Sequence, residues 1–372
     1  MDYTLLGEIA SFDNLYSAFE EVAKGKRTKP EFVLYALKAE ENIINLQNKL
    51  INKLWHPHKT VDFFVREPKL RFISRPLIED RIVHHAIMRV ISPLFNKYWS
   101  PASFACIVGR GNLKACERLQ KLYRSAIGKY GIDNIYVLQG DFKSFFKNIN
   151  MNVYRAMLER VIKDEEVVSL LMAIATDYVE NSEELVIKDP SSNEFLTIKH
   201  EGLPIGYLTS QSGANLVLSA FDYFITDILG IGKYYIRQMD DFRIICHSKR
   251  EAYELLRILN NFIEEKLHQP LSEKKTRVFK FKGKDKFCGY IVHPHYLDAI
   301  PATIKRHERR ISKHLSMWQE GKLEEGRLLS SLSSAIDYSI RTKKKSKVIE
   351  GVIGKINMSN KAIRKYKVYF GI

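Results

Sequence analysis

Tyr235-Ile-Arg-Gln-Met-Asp240-Asp241-Phe-Arg-Ile-Ile245 is the stretch on which the reading of the whole chain turns. Two adjacent carboxylates sit between two apolar, β-prone runs. That pattern predicts a tight hairpin over 234–246 with both acids at its tip. Adjacent acids repel each other, and a divalent cation is the usual compensation. A third acid, Asp141, ends another β-prone run, Ile135-Tyr-Val-Leu-Gln-Gly-Asp141, which continues into Phe-Lys-Ser-Phe-Phe146. Two strand-borne acid sites of this kind suit a metal pair that supports phosphoryl transfer. Turns favour Asp on local grounds alone; the third acid and the basic balance of the chain weigh toward chemistry.

Outward from the hairpin, the apolar periodicity alternates between strand and helix. Leu15, Phe19 and Val22 keep helical spacing, and a second helical run spans 31–55 with Leu37, Ile43, Leu46, Leu50 and Leu54. Residues 61–73 read as strand broken at Pro68, and 80–95 as helix. Helices are expected at 152–163, 165–180, 211–229 and 251–267, a polar hairpin at 184–201, and strands at 276–282 and 286–293. The order implies an α+β fold in which a sheet is flanked by helical units at either end.

Lys and Arg number 59 against 43 Asp and Glu, a formal net charge of +16. From Pro301 onward there are 17 basic and 6 acidic residues, a surplus of 11, so most of the excess lies in the last fifth of the chain. So uneven a surplus points to a polyanionic partner, nucleic acid first and an anionic membrane surface second. Lys305, Arg306, Arg309, Arg310 and Lys313 recur at largely i, i+4 spacing beside Ile304, Ile311, Leu315 and Trp318. That is a basic amphipathic helix suited to following a duplex backbone. Cys106, Cys116, Cys246 and Cys288 form no CxxC pair. They read as small buried residues in a reducing, cytoplasmic setting. The first residues lack the layout of a signal peptide, and no apolar run is long enough to predict a membrane span.

The segments around these acids resemble the reverse transcriptases, in that family's motif order, over roughly 66–292. Arg66-Glu-Pro-Lys69-Leu-Arg71 and Asp80-Arg81-Ile-Val-His-His85-Ala resemble the fingers. Gln139-Gly-Asp141-Phe-Lys-Ser-Phe-Phe146 and Gln238-Met-Asp240-Asp241 are similar to the two acid-bearing palm motifs. Gly202-Leu-Pro-Ile205-Gly206-Tyr-Leu-Thr-Ser-Gln211 is similar to the nucleotide-binding motif. Leu271-Ser-Glu-Lys274-Lys275-Thr276 and Phe287-Cys-Gly289-Tyr290 resemble the next motif and the primer grip. Each piece is weak alone, and six in order are specific.

The resemblance implies a right-hand polymerase: N-terminal helices and fingers over 1–130, a palm with an antiparallel sheet over 131–285, and primer grip with helical thumb over 286–372. It implies RNA-directed DNA synthesis, with Asp141, Asp240 and Asp241 holding two Mg²⁺ ions (Mn²⁺ as an alternative) and Lys275, or Lys274 beside it, at the leaving pyrophosphate. Lys69 and Arg71 would hold the triphosphate. Phe146 would lie under the sugar and exclude a 2′-hydroxyl. Gly206 would admit the nucleotide, Gln211 would line the same pocket, and Ile205, where many members carry Gln, would relax fidelity. Phe287, Gly289 and Tyr290 would meet the primer end. Implied partners are dNTPs, an RNA–DNA duplex and a template or noncoding RNA, with no membrane.

Within the family, Arg66-Glu-Pro-Lys69, His84-His85-Ala86 and 203–211 look most like enzymes of bacterial diversity-generating retroelements. That likeness implies mutagenic copying of a template RNA with a small basic accessory protein. Gln238, Ile107, Leu113 and Tyr207 depart from the pattern, and suit a relative used in antiphage defence with its own defence partner, by noncoding-RNA copying or protein priming. A reading of another class is a catalytically inactive RNA-binding scaffold; the three retained acids weigh against it.

Overall fold

The computed structural model describes residues 4–66, 70–180, 185–188, 195–198, 202–356 and 361–371. The chain opens with α1 (Leu5–Ile9), α2 (Phe12–Ala23), α3 (Pro30–Ala36) and α4 (Ala39–Ile51). Thr4 and Ser11 cap the first two through their hydroxyls, and Pro30 begins the third, where an N–H is not needed. The helical run expected over 31–55 is thus divided at Leu37-Lys38 and ends at Ile51. Leu37 and Leu54 fall beyond the helix ends and are 76% and 70% exposed, while Ile43, Leu46 and Leu50 face the core.

β1 (Val61–Arg66) and β2 (Leu70–Arg75) pair as an antiparallel hairpin, followed by α5 (Ile78–Asn96), which packs on α2, and α6 (Asn112–Tyr130). β3 (Tyr136–Asp141) leads into α7 (Met151–Val161), capped by Asn150, and α8 (Glu165–Glu180). β4 (Leu185–Lys188) and β5 (Phe195–Ile198) pair antiparallel, in line with the polar hairpin expected there. α9 (Leu208–Tyr223) is extended by a π-helical turn to Ile228. β6 (Tyr235–Gln238) and β7 (Asp241–Cys246) form the hairpin read from the opening stretch, and α10 (Lys249–Phe262) follows behind its Ser248 cap. Next come β8 (Arg277–Lys280), β9 (Asp285–Phe287), β10 (Tyr290–Val292) and β11 (Leu297–Ala299). The single strand expected over 286–293 is broken because Cys288 and Gly289 both take positive φ, 48° and 84°, and reverse the chain. α11 (Pro301–Gln319), α12 (Glu325–Arg341), α13 (Lys347–Lys355) and α14 (Lys361–Phe370) complete the fold.

The central sheet has the order β6-β7-β3-β8, antiparallel throughout. Strand alternation gives it two buried faces. Leu138, Phe142, Tyr235, Phe242 and Ile244 join a large core with α2, α5, α7 and α9. Val137, Ile236 and Ile245 join a second core with α6, Phe281 and Phe287. Gly140 is required between them: a Cβ there would lie 2.1 Å from the Phe242 ring, which crosses β3 just below the acids. Fully burying one such ring contributes about 1.5–3 kcal/mol. The helices from α11 onward close a third core of their own, around Ile311, Leu332, Ile349 and Tyr366. Cys116 and Cys246 are buried as expected, whereas Cys288 is half-buried and Cys106 is exposed on a loop. Among the described residues no helix is long and apolar enough to cross a membrane.

Candidate active site

Antiparallel register sets Asp141, the last residue of β3, directly opposite Asp241, the first of β7. Asp240 occupies the β6–β7 turn, and its carbonyl accepts from the Phe142 amide (3.1 Å). Three acids from two distant segments therefore share one end of the sheet. Burial pushes the Asp240 carboxyl up, the Asp141 charge adds to this, and its pKa reaches about 6 despite the opposing pull of its own amide and Lys275. Asp241 is also raised by burial, partly offset by Arg243. Lys275, from the 272–276 turn ahead of β8, pairs with Asp141; Lys274 makes no such contact among the described residues.

The turn is held from beneath by a buried polar network that sequence reasoning missed. Arg237 is fully buried and forks onto Asp222 of α9, with Nε donating to Oδ1 at 2.7 Å. Tyr235 donates to the same carboxylate (2.6 Å). Arg237 Nη1 donates to Asn215 Oδ1 and to the Met239 carbonyl, both at 2.9 Å. Met239 has φ +55°, a conformation a non-glycine residue adopts only when its surroundings enforce it. The signal available was an arginine inside an otherwise apolar strand, which demands a buried partner. Gln238, where an aromatic is usual, donates from Nε2 to Asn112 Oδ1 (2.8 Å) and ties the hairpin to the start of α6.

The donor set is all carboxylate oxygen, the chemistry of a hard cation. Among the described residues no three His, Cys, Asp or Glu side chains converge into a ready-made cage. Carboxylates of this kind would suit a hard divalent cation such as Mg²⁺, which takes one or two carboxylates alongside water and substrate phosphates.

The residues expected around the nucleotide divide. Arg71 is exposed on β2, and Lys69 lies outside the described residues. Phe145 is buried in the core, whereas Phe146 is half-exposed; its carbonyl accepts from the Leu203 amide (2.8 Å). Ile205 is 38% exposed, and its carbonyl accepts from the Ser74 amide of β2 (2.9 Å). Gly206 has φ +125°, and a Cβ there would meet the Ser74 carbonyl at 2.4 Å. The place a side chain would take at Gly206 is thus filled by the β1–β2 hairpin, which by itself requires glycine there. Gln211 is exposed near the start of α9 beside Cys106 (Oε1 to Sγ 3.8 Å). For Phe146→Ala, the expected outcome is a rise of about 10-fold or more in ribonucleotide over deoxynucleotide incorporation, equal to about 1.4 kcal/mol of lost steric discrimination. Competition between rNTP and dNTP in primer extension measures it, and unchanged discrimination would remove the steric-gate role.

On the primer side, Phe287 is buried under the Arg243 guanidinium (5.0 Å to the ring centroid), so it is a core residue and presents no ring to a primer. Gly289 and Tyr290 lie at the β9–β10 reversal. Tyr338 of α12 stacks on Tyr290 (5.2 Å), donates to the Gly289 carbonyl (3.1 Å) and accepts from the Ile300 amide (2.8 Å). On α11, Lys305, Arg309 and Lys313 form one exposed line, while Arg306 and Arg310 are half-buried. None of the five pairs with a carboxylate among the described residues.

A family profile described as reverse transcriptase (RNA-dependent DNA polymerase) matches residues 58–317, and the chain belongs to that family. Among solved structures it is similar to apo telomerase from Candida tropicalis, with TM-score 0.53 and 11% identity, over 85% of this chain and 62% of that one. It is also similar to telomerase from Candida albicans in complex with a TWJ fragment of telomeric RNA, with TM-score 0.49 and 13% identity, over 85% and 66% of the two chains. This chain therefore spans less than two thirds of the length of either telomerase chain. At such identity the Candida tropicalis likeness is one of fold: helices packed with antiparallel sheet, in the polymerase arrangement. No curated protein matches the chain by sequence.

Proposed function

We propose that this protein is an RNA-directed DNA polymerase that adds dNTPs to a 3′-hydroxyl. One observation carries the reading: Asp141 and Asp241 stand opposite each other in register, with Asp240 in the adjoining turn, in a chain of the reverse transcriptase family. Asp141 and Asp240 would hold two Mg²⁺ ions, with Asp241 supporting them. When bound, such a pair lowers the pKa of the attacking hydroxyl and neutralises charge on the phosphates. The chain's own residues do the rest. Lys275, paired with Asp141 and partly exposed, would turn to the leaving pyrophosphate as charge neutraliser or proton donor. Ile205 and Phe146 are both partly exposed, and in this reading they would lie beside the nucleotide, where an apolar side chain and a ring select by shape rather than by hydrogen bonding. The exposed basic line of α11 follows the duplex backbone without reading sequence.

The motif likeness supports a retroelement-type enzyme that copies a cognate structured RNA. The departure of Gln238 from the family's usual aromatic supports the defence-associated variant as a second reading. An inactive RNA-binding scaffold would leave three mutually repelling acids without a purpose. The test is to purify the protein, sequence the nucleic acid that co-purifies, and assay dNTP incorporation with Mg²⁺. A specific bound RNA and complementary DNA are expected. Absence of any Mg²⁺-dependent incorporation on that RNA or on a primed RNA template would overturn the reading. DNA covalently joined to the protein would assign protein priming.

A further inference from the structure

Arg243 sits in the middle of β7, two residues after Asp241 and therefore on the same face of the strand. It is 1% exposed, and each of its three guanidinium nitrogens has a partner. Nη1 pairs with the Asp241 carboxylate and donates to the Phe242 carbonyl (2.9 Å). Nε donates to Asp285 Oδ2 (3.0 Å), and Nη2 donates to the Lys286 carbonyl (3.1 Å). The plane lies over the Phe287 ring. Asp285 is itself oriented by the Tyr123 hydroxyl of α6 (2.9 Å). One side chain thus grips an acid of the candidate metal site with one edge and three consecutive residues of β9, 285–287, with the rest.

Stability does not account for this arrangement. Well-packed apolar residues of similar volume usually serve a core as well as, or better than, a buried ion pair. What the fork provides is direction: planar donors hold two carboxylates at a set separation, which a lysine cannot reproduce. β9 is also the strand whose reversal carries Gly289 and Tyr290, the expected primer-side residues.

We propose that Arg243 is a positioning residue that couples Asp241 to the β9–β11 sheet, so that the acid's orientation and the location of the primer-side turn are set together. Asp285 is the second anchor of this link, and Tyr123 steadies it. The inference rests on the polymerase reading of the three-acid site.

The test compares wild type with Arg243→Lys, Asp285→Asn, Tyr123→Phe and the Arg243→Lys/Asp285→Asn pair. It reads kcat and dNTP KM in primer extension, and Mn²⁺ affinity by electron paramagnetic resonance without substrate. For Arg243→Lys and Asp285→Asn, kcat or Mn²⁺ affinity is expected to fall about 10–100-fold, the range for residues that orient metal ligands. The dNTP KM should stay within about threefold, since ground-state nucleotide contacts are untouched. The double variant should be little worse than either single one, because both cut one link. Tyr123→Phe, which keeps both charged partners, should shift the same quantities less and remain folded with a modest loss of stability. If Arg243→Lys or Asp285→Asn fails to fold, Tyr123→Phe decides alone. A folded Arg243→Lys or Asp285→Asn with wild-type kcat and Mn²⁺ affinity, additive losses in the pair, or an unaltered Tyr123→Phe standing alone, overturns the proposal. Wild type without incorporation instead sinks the polymerase reading, Asp240→Asn as active as wild type sinks the assignment of the three-acid site, and in either case the Mn²⁺ measurement still reports on Arg243.

Discussion

Asp240→Asn is expected to lower Mg²⁺-dependent DNA synthesis by about 10³-fold or more. The substitution keeps the shape of the turn and removes one anionic oxygen. Several kcal/mol of transition-state charge stabilisation depend on the metals, and about 4 kcal/mol corresponds to that factor. The same variant should stabilise the metal-free protein. Asp240 titrates near 6 in the fold against an ordinary value of 3.8. Between those values the folded state keeps a proton that the unfolded chain releases. Stability from this group is therefore present at low pH and falls as pH rises, reaching its minimum above about 6. Asparagine does not ionise, so metal-free Asp240→Asn should melt above wild type at pH 7.5, with the gap closing toward pH 4. Added Mg²⁺ should raise the melting temperature of wild type more than that of the variant, since only ligand bound to the native state stabilises it. Thermal melts at three pH values with and without Mg²⁺, beside single-turnover extension, check both arms. Equal activity in the two proteins would reject Asp240 as a metal-site residue.

The second large effect is expected on α11. Replacing Lys305, Arg309 and Lys313 together by Gln should weaken RNA–DNA duplex binding by about 10²-fold at physiological salt. The reasoning is counterion release: each phosphate contact contributes a slope of about −0.9 in log K against log salt on B-form duplex, so three contribute about −2.7. The loss should be uniform across duplex sequences, because backbone contacts position and do not specify. Arg306 and Arg310 are half-buried, and their replacement by Gln should change the salt slope less. Anisotropy titrations from low to moderate salt read both quantities. An unchanged slope in the triple variant would mean that the duplex lies elsewhere.

Much of this protein can be read from its residues. The β-prone runs around Asp141 and Asp240-Asp241 are strands, as their composition implies, and they lie adjacent in one antiparallel sheet. The helices after Pro301 carry the charge surplus and enclose their own core. Periodicity was less reliable where a helix stops. Leu37 and Leu54 keep helical spacing yet lie past the helix ends, because spacing does not report where the axis turns. At Gly206 the spacing does not report that Ser74 of β2 fills the place a side chain would take. Phe287 belongs to a core rather than a primer surface, since the reversal at Cys288-Gly289 folds β9 inward.

The sequence by itself determined which residues are chemically expensive to keep: three acids at strand ends, arginines inside apolar strands, and a basic helix. Their cost is a local property, legible from residue type and strand alternation. Only the tertiary structure decided how each is compensated. Register across a hundred residues sets Asp141 against Asp241. Packing of α9 under the turn brings Asp222 to Arg237, and the fold of β9 brings Asp285 to Arg243. Such pairings depend on where distant backbones cross, which short-range periodicity does not encode.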